Sequence, residues 1–179
     1  MKYLRRLIWH IASRLLIVTI VLGMMVISFY YAMNMTNMYV VLKDGMARRA
    51  QVVMMQEDVS ELTKFFQQSF LNYDPVVQDV LSGNSPYRDY NVRGIDHRLE
   101  MGFTWVWPWD TSARVDIVER IPRIDGRIKG TKAEEYIERE GEDAIYPPEW
   151  DSARYRVQLV KENGQWHIRS LSLLETLPD

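Results

Sequence analysis

Residues 155–168 read YRVQLVKENGQWHI, and this stretch predicts a β-hairpin. Tyr155, Val157 and Leu159 alternate with more polar residues, as in a strand that has one buried face. The dipeptide Asn163-Gly164 is the combination that favours a two-residue hairpin turn. Trp166 and Ile168 begin a return strand, which we predict to run to about residue 174. The C-terminal part of the chain is therefore expected to be an antiparallel sheet.

The same period of two occurs earlier in the chain. It predicts a long strand over residues 98–109, in which one face carries the apolar residues Leu99, Met101, Phe103, Trp105, Trp107 and Trp109. Residues 110–112 read as a turn, and residues 113–118 alternate again as a second strand. These two strands are expected to pair as a hairpin.

Helical patterns precede these strands. Residues 38–55 have helical spacing, although Gly45 should weaken or bend that helix, and residues 34–37 (NMTN) read as a polar break before it. A second helix is expected from Asp58 or Ser60 to Phe70, and a short one from Asp74-Pro75 to residue 81. Thr131 and Glu134 form a capping box for a helix that Gly141 ends. Helices followed by strands indicate an α+β fold.

Residues 15–33, LLIVTIVLGMMVISFYYAM, carry no charge. Nineteen helical residues extend about 28 Å, which matches a hydrocarbon core of roughly 30 Å. A cleaved signal peptide is the alternative, but its apolar region is shorter and ends in small residues. Here the run ends in Phe29, Tyr30 and Tyr31, which fit an interfacial aromatic belt. The pattern therefore favours a retained transmembrane helix.

Charge is distributed unevenly along the chain. Residues 1–14 contain the four bases Lys2, Arg5, Arg6 and Arg14 and no acid, so that a net charge of −2 leaves −6 for residues 34–179. The positive-inside bias predicts a cytoplasmic flank (1–14), a transmembrane helix (15–33) and an extracytoplasmic domain (34–179) in the cell membrane. The flank is either a helix on anionic lipid or an ordinary positive flank. The acidic domain argues against a nucleic-acid partner.

Metal and thiol chemistry have little support. The chain has no cysteine, and its histidines His10, His97 and His167 show no metal-ligand spacing. We therefore predict no metal site and no cofactor.

The closing hairpin, Tyr155 to Ile168 with its Glu-Asn-Gly turn and Trp-His-Ile return, resembles the end of NTF2-like superfamily domains. This resemblance covers about residues 40–175 and implies helices packed on a strongly curved antiparallel sheet that forms a cone. A transmembrane helix before such a domain is similar to the VirB8/TcpC type of conjugation subunit, a builder of inner-membrane complexes. The chain differs from that type in its very short cytoplasmic segment and its acidic insertion.

The aromatic row Phe103, Trp105, Trp107 and Trp109 is a candidate ligand-binding site. These rings would line the mouth of the cone and stack on a flat or sugar-like ligand. The alternative is that the row packs as core against the helix that carries Phe65, Phe66 and Phe70.

Acid–base catalysis has weaker support, because the inward row is almost entirely hydrocarbon and indole. NTF2-like enzymes place Asp, His or Tyr inside the cone, and the nearest equivalents here are Asp96, His97 and Tyr90. We therefore predict no catalytic residue and no enzyme activity.

Residues 120–129 combine basic and apolar side chains. Arg120, Ile121, Arg123, Ile124, Arg127 and Ile128 are therefore predicted to bind a protein partner, the alternative being a strand with ordinary surface charges. The acidic residues from Glu134 to Asp143 fit a solvated helix face or the contact of a basic partner.

The expected function is a non-enzymatic scaffold in an envelope, secretion or conjugation-type complex. Its partners would be the lipid bilayer and either other proteins or further copies of itself. The alternative is a membrane-anchored sensor domain that binds a ligand in an aromatic-lined cone.

Overall fold

The computed structural model describes residues 2–130 and 132–178, apart from the side chain of Leu4. The fold is α+β, with a long N-terminal helix and antiparallel sheets. The helices are α1 (Lys2–Met55), α2 (Gln68–Leu71), α3 (Pro75–Ser82) and α4 (Ala133–Glu140). The strands are β1 (Tyr90–Ile95), β2 (Arg98–Met101), β3 (Ser112–Ile121), β4 (Ile124–Ile128), β5 (Trp150–Glu162) and β6 (Gln165–Thr176).

Helix α1 runs without interruption through the predicted polar break at residues 34–37, so that prediction is wrong. The polar side chains there have partners that leave the helical backbone bonds intact. Thr36 Oγ1 donates back to the Ala32 carbonyl at 2.9 Å, and Asn34 bonds to the folded domain. A single helix therefore joins the apolar segment to the domain.

Gly45 does not interrupt α1 either. A Cβ atom at this position would lie 3.0 Å from Cβ of Phe65 and 3.2 Å from Cδ1 of Ile168. Glycine therefore allows the helix to approach the neighbouring loop and β6 closely.

The predicted helix over residues 58–70 is divided. A 3-10 helix covers Val59–Lys64, α2 covers four residues, and Phe65 and Phe66 between them lie against β6. The Ile168 amide donates to the Phe65 carbonyl at 2.7 Å, and the Gln67 amide donates to the Ile168 carbonyl at 2.9 Å. These bonds to β6 use backbone groups that a continuous helix would need.

Helix α3 confirms the prediction at residue 74. Asp74 is the N-cap, Pro75 occupies the first turn, and Gly83 ends the helix in the left-handed conformation with φ of 74°. Helix α4 also ends at Gly141 as predicted, whereas the predicted cap Thr131 lies outside the described residues.

The hairpin of β5 and β6 confirms the first prediction. Asn163 and Gly164 have φ values of 50° and 84°, as a two-residue turn of this kind requires. The four-stranded sheet has the order β2-β3-β5-β6, and β1 pairs with β4 in a separate two-stranded sheet.

The predicted long strand over residues 98–109 ends at Met101. The Gly102 amide donates to the Asp116 carbonyl at 2.8 Å, and the chain then leaves the sheet as a loop. A Cβ atom at residue 102 would lie only 2.9 Å from that carbonyl oxygen, so the glycine permits this exit. Strand β2 still pairs with β3, which confirms the hairpin.

The C-terminal half of α1 forms part of both hydrophobic clusters of the domain. The first cluster contains Met38, Leu42 and Met46 of α1 together with Ile117, Val157, Leu159, Trp166 and Ile168 of the sheet. The second contains Ala50, Val53 and Met54 together with Tyr87, Tyr90, Val92, Ile121 and Ile128. Helix α1 is therefore the central core element of the domain as well as the apolar segment that precedes it.

Candidate functional site

The N-terminal part of α1 is exposed along its length. Among the side chains described in residues 2–33, only those of Ser13 and Tyr31 are even partly buried. Within the described residues, α1 is the one helix that is long and apolar enough to cross a membrane. The four bases Lys2, Arg5, Arg6 and Arg14 precede its uncharged stretch. This part of α1 has the dimensions of a membrane-spanning segment.

Asn34 marks the point where α1 enters the domain. Its side chain is 6% exposed, and Oδ1 accepts hydrogen bonds from Trp166 Nε1 at 2.9 Å and from Lys161 Nζ at 3.4 Å. The Lys161 ammonium also lies 5.2 Å from the centroid of the Trp166 ring. Sequence reasoning missed Asn34 because an asparagine after an apolar run equally signals a helix end. It attaches α1 to both strands of the closing hairpin.

Residues 102–111, the aromatic loop, carry the predicted ligand-binding row. Phe103, Trp105, Trp107 and Trp109 are 86%, 57%, 40% and 66% exposed, whereas Val106 is buried at 2%. After Gly102 the alternation therefore shifts by one residue. The even-numbered Val106 is buried, and the odd-numbered tryptophans point outward. The row neither forms the core nor lies on the sheet.

The aromatic rings of this loop are stacked against the end of the exposed part of α1. Tyr31 stacks on Trp105 with ring centroids 4.8 Å apart, and its hydroxyl donates to the Thr104 carbonyl at 3.1 Å. Trp105 meets Trp107 edge to face at 5.3 Å, and Trp107 stacks on Trp109 at 5.1 Å. The rings form one continuous row that begins on α1.

Polar contacts hold the loop in this shape. The Trp107 amide donates to Asp110 Oδ2 at 2.8 Å, and the Thr104 hydroxyl donates to the Arg114 carbonyl at 2.8 Å. Phe29 and Tyr30 lie about one helical turn before the junction, which is the point at Asn34 where α1 enters the domain. They remain exposed and contact each other edge to face. The aromatic residues predicted for a membrane belt and those predicted for a ligand site are thus neighbours.

A buried ion pair lies deeper in the domain. Arg49 donates to both carboxylate oxygens of Asp74, at 2.6 Å from Nε and 2.9 Å from Nη2, and both side chains are almost fully buried. Burial alone lowers the pKa of Arg49, but the hydrogen bonds and negative charge of Asp74 outweigh it, so the pKa is raised. Arg49 and Asp74 also border a cleft of about 540 Å³ beside Tyr155 and Leu173.

The residues considered for acid–base catalysis have different partners in the structure. Asp96 pairs with Arg98 at the surface, whose hydrogen bond lowers the pKa of Asp96, and Tyr90 donates to the Ala144 carbonyl at 3.0 Å. His97 Nε2 instead bonds Glu119 Oε1 at 3.0 Å, and the two side chains are 5% and 0% exposed.

Glu119 was not predicted, although the alternation of β3 places it on the inward face between Ile117 and Ile121. Its second oxygen has no hydrogen-bond partner among the described residues. The His97 side chain is 5% exposed and that of Glu119 is fully buried, so little of this pair faces solvent in the conformation described.

The predicted partner-binding segment, residues 120–128, is only half exposed. Ile121 and Ile128 are buried and Ile124 is partly buried, because all three pack in or against the second hydrophobic cluster. The residues predicted to bind a partner thus include two core residues, Ile121 and Ile128, which offer little surface for such a contact. Arg123 and Arg127 are exposed, and Arg120 pairs with Glu100 at 2.8 Å. Of the six residues predicted to bind a partner, the exposed ones are thus Arg123 and Arg127.

The acidic residues of α4 lie on the surface. Glu134, Glu135 and Glu138 are exposed, whereas Tyr136 turns inward and donates to Asp89 Oδ2 at 2.9 Å. Within the described residues, no group of three or more histidine or acidic side chains is placed to hold a metal ion.

Comparison of the chain with protein-family models, with curated proteins and with solved structures gives no match.

Proposed function

We propose that this chain is a single-pass membrane protein whose C-terminal domain acts as a non-enzymatic scaffold in an envelope complex. The observation that carries the proposal is the continuity of α1, which is exposed and apolar before Asn34 and embedded in the domain after it. The same helix would cross the bilayer and form the centre of the extracytoplasmic domain. An assembly of the secretion or conjugation type, as the VirB8-like architecture implies, would use such a subunit.

Orientation follows from charge. The bases Lys2, Arg5, Arg6 and Arg14 precede the uncharged stretch without an accompanying acid, which favours a cytoplasmic N-terminus. The domain of residues 34–179 would then lie outside the cytoplasm.

The continuous helix favours a mechanical role over a tethering role. A flexible linker allows a domain to sample many orientations, whereas a helix that is part of the core transmits its direction to the domain. Partners bound to the domain would therefore be held at a set height and angle relative to the bilayer.

Three exposed surfaces of the described residues are the contacts that this proposal assigns to protein partners. Tyr39 and Val40 are 37% and 46% exposed on α1 just after the junction. Strand β6 is an edge strand, with Leu173 and Leu174 exposed beyond the stretch that residues 65–67 cover. Arg123 and Arg127 form the third surface. An open edge strand can accept a strand from another chain or a second copy.

The NTF2-like assignment belongs to the same proposal. It is supported by helices that pack on an antiparallel sheet and by the closing hairpin with its Asn163-Gly164 turn. A domain of this kind serves many functions, so the scaffold role rests on the anchor and the surfaces.

Cross-linking of the full-length protein in its native membrane tests the scaffold role. After gentle solubilisation, mass spectrometry should recover other envelope proteins in a fixed ratio. The charge reversals Arg123→Glu and Arg127→Glu should reduce that recovery, whereas Lys64→Glu, at an exposed position on the 3-10 helix, should not. Recovery of only a monomer or dimer from the membrane would contradict the scaffold role.

A further inference from the structure

The height of the aromatic loop along α1 is set by its contacts with that helix. Tyr31 stacks on Trp105, and Asn34 Nδ2 donates to the Trp107 carbonyl at 3.5 Å. Arg14, the last base before the uncharged stretch, precedes Asn34 by 20 residues, which is about 30 Å of helix. A hydrocarbon core is also about 30 Å thick. When Arg14 lies at one edge of the hydrocarbon core of the bilayer, the aromatic loop therefore lies level with the opposite edge.

The chemistry of the loop suits this boundary. Its sequence, GFTWVWPWDT, has one charged residue, Asp110, and that carboxylate caps the Trp107 amide within the loop. Its three indoles and Phe103 are 40–86% exposed and lie outside the core. Indole rings have an apolar body and one N–H donor, and they concentrate at the lipid–water interface for this reason.

The loop is also preorganised. Tyr31, Trp105, Trp107 and Trp109 contact one another in succession, by two stacked contacts and one edge-to-face contact. The backbone of the loop is fixed by Asp110 and Thr104. Rings that are already ordered lose little conformational freedom when they enter the interface. A flat ligand could stack on the same rings, but their level at the end of the apolar helix favours lipid.

We infer that the aromatic loop inserts into the outer lipid–water interface as a second membrane attachment that fixes the orientation of the domain. This inference rests on the proposed membrane anchoring of α1. Two attachments, the helix and the loop, remove rotations of the domain that a single helix would still permit.

The test uses the absence of cysteine from the chain. Phe103→Cys and Tyr73→Cys each introduce one thiol at a position that is 86% exposed, and each is labelled with an environment-sensitive fluorophore. Tyr73 is next to Asp74, which binds Arg49, and Arg49 lies about 27 Å beyond Tyr31 along α1. The two labels thus differ in height but not in the exposure of the residue they replace. The full-length variants are reconstituted in phosphatidylcholine vesicles, and flotation verifies insertion.

A quencher attached to the lipid near the headgroup should reduce fluorescence at residue 103 by about twofold or more, because interfacial rings lie at this depth. It should have little effect at residue 73, where a water-soluble quencher should act instead. Equal access of the water-soluble quencher to both sites in floated vesicles would refute insertion and leave the anchor intact. Protection of residue 103 from both quenchers would show that protein covers the loop and would overturn the lipid assignment. Failure to float would contradict the anchor itself.

Discussion

At the scale of single residues, two arginine–carboxylate pairs share one geometry and differ in burial. Arg49 and Asp74 form a two-bond pair that is almost fully buried, and Arg156 and Asp116 form the same kind of pair at the surface. The two pairs have the same hydrogen-bond geometry but very different exposure. Comparing them therefore separates the effect of burial on stability from the effect of the contact itself.

Replacing Arg49 with methionine should destabilise the domain by about 3–5 kcal/mol, because Asp74 would remain as an unpaired buried charge. Arg156→Met is the matched control and should cost about 0–1 kcal/mol, since water solvates the Asp116 that remains. Denaturant unfolding of the full-length protein in nanodiscs measures both values. Similar losses for the two variants would show that burial of the first pair has no energetic consequence.

Tyr87 predicts how stability responds to alkali. Burial is the larger cause and the negative charge of Asp151 the smaller one, and together they raise the pKa of Tyr87 from 10.0 to about 12. The phenolate is poorly solvated in the folded domain. The folded pKa lies above the unfolded one, so this contribution to stability is complete below pH 10 and is lost as the pH rises through about 12.

The denaturant concentration at the midpoint of unfolding should therefore fall between pH 10 and 12 in the wild type, and Tyr87→Phe should make this fall smaller. Some dependence should remain, because burial also raises the pKa of Tyr155. Tyr73→Phe, at a residue that is 86% exposed, should reproduce the wild-type curve. A Tyr87→Phe curve that coincides with the wild type would contradict the predicted coupling.

Sequence patterns predict residue roles well where alternation continues and poorly where it changes. Tyr155, Val157, Leu159, Trp166 and Ile168 lie inward as their spacing predicts. The same spacing fails for Trp105, Trp107 and Trp109, because the exit at Gly102 exchanges the two faces and Val106 enters the core instead. Asn34 has a tertiary partner, Trp166, that is 132 residues distant, and no local pattern contains that information.

At the scale of elements, α1 has the largest consequence. Its two halves were predicted as separate helices, because Asn34, Thr36 and Asn37 are polar and local propensity disfavours continuity there. Packing of Asn34 and the core residues that follow it overrides this preference. The divided helix at residues 58–70 has the opposite cause, since bonds to β6 interrupt a segment whose spacing is helical.

Asn37→Pro tests whether the continuity of α1 orients the domain. Proline removes a helical hydrogen bond and clashes with the preceding turn, at a cost of about 3 kcal/mol. Spin labels at Met24→Cys and Tyr73→Cys, on the apolar segment and the domain, should give one narrow distance distribution in nanodiscs. The distribution should broaden with Asn37→Pro and stay narrow with Asn37→Ala. A broad distribution without the proline would mean that the helix does not set the orientation.

At the scale of the whole molecule, α1 is the axis along which the parts of the chain are arranged. The basic flank, the exposed apolar segment, the junction at Asn34 and the two hydrophobic clusters follow one another along α1. The α+β class and the closing hairpin were predictable because they depend on local spacing. The arrangement of the aromatic loop beside Tyr31 was not, because it depends on how distant elements pack.

The central claim is that α1 crosses the membrane with its domain on the outer side. Tyr3 and Tyr73 are each 86% exposed and lie on opposite sides of the apolar segment, so Tyr3→Cys and Tyr73→Cys form a matched pair in a chain without cysteine. Each variant is treated with a membrane-impermeant maleimide in intact spheroplasts and again after permeabilisation. We predict that the thiol at residue 73 is labelled in intact spheroplasts and that the thiol at residue 3 is labelled only after permeabilisation. The reverse pattern, or labelling of both residues before permeabilisation, would contradict the claim.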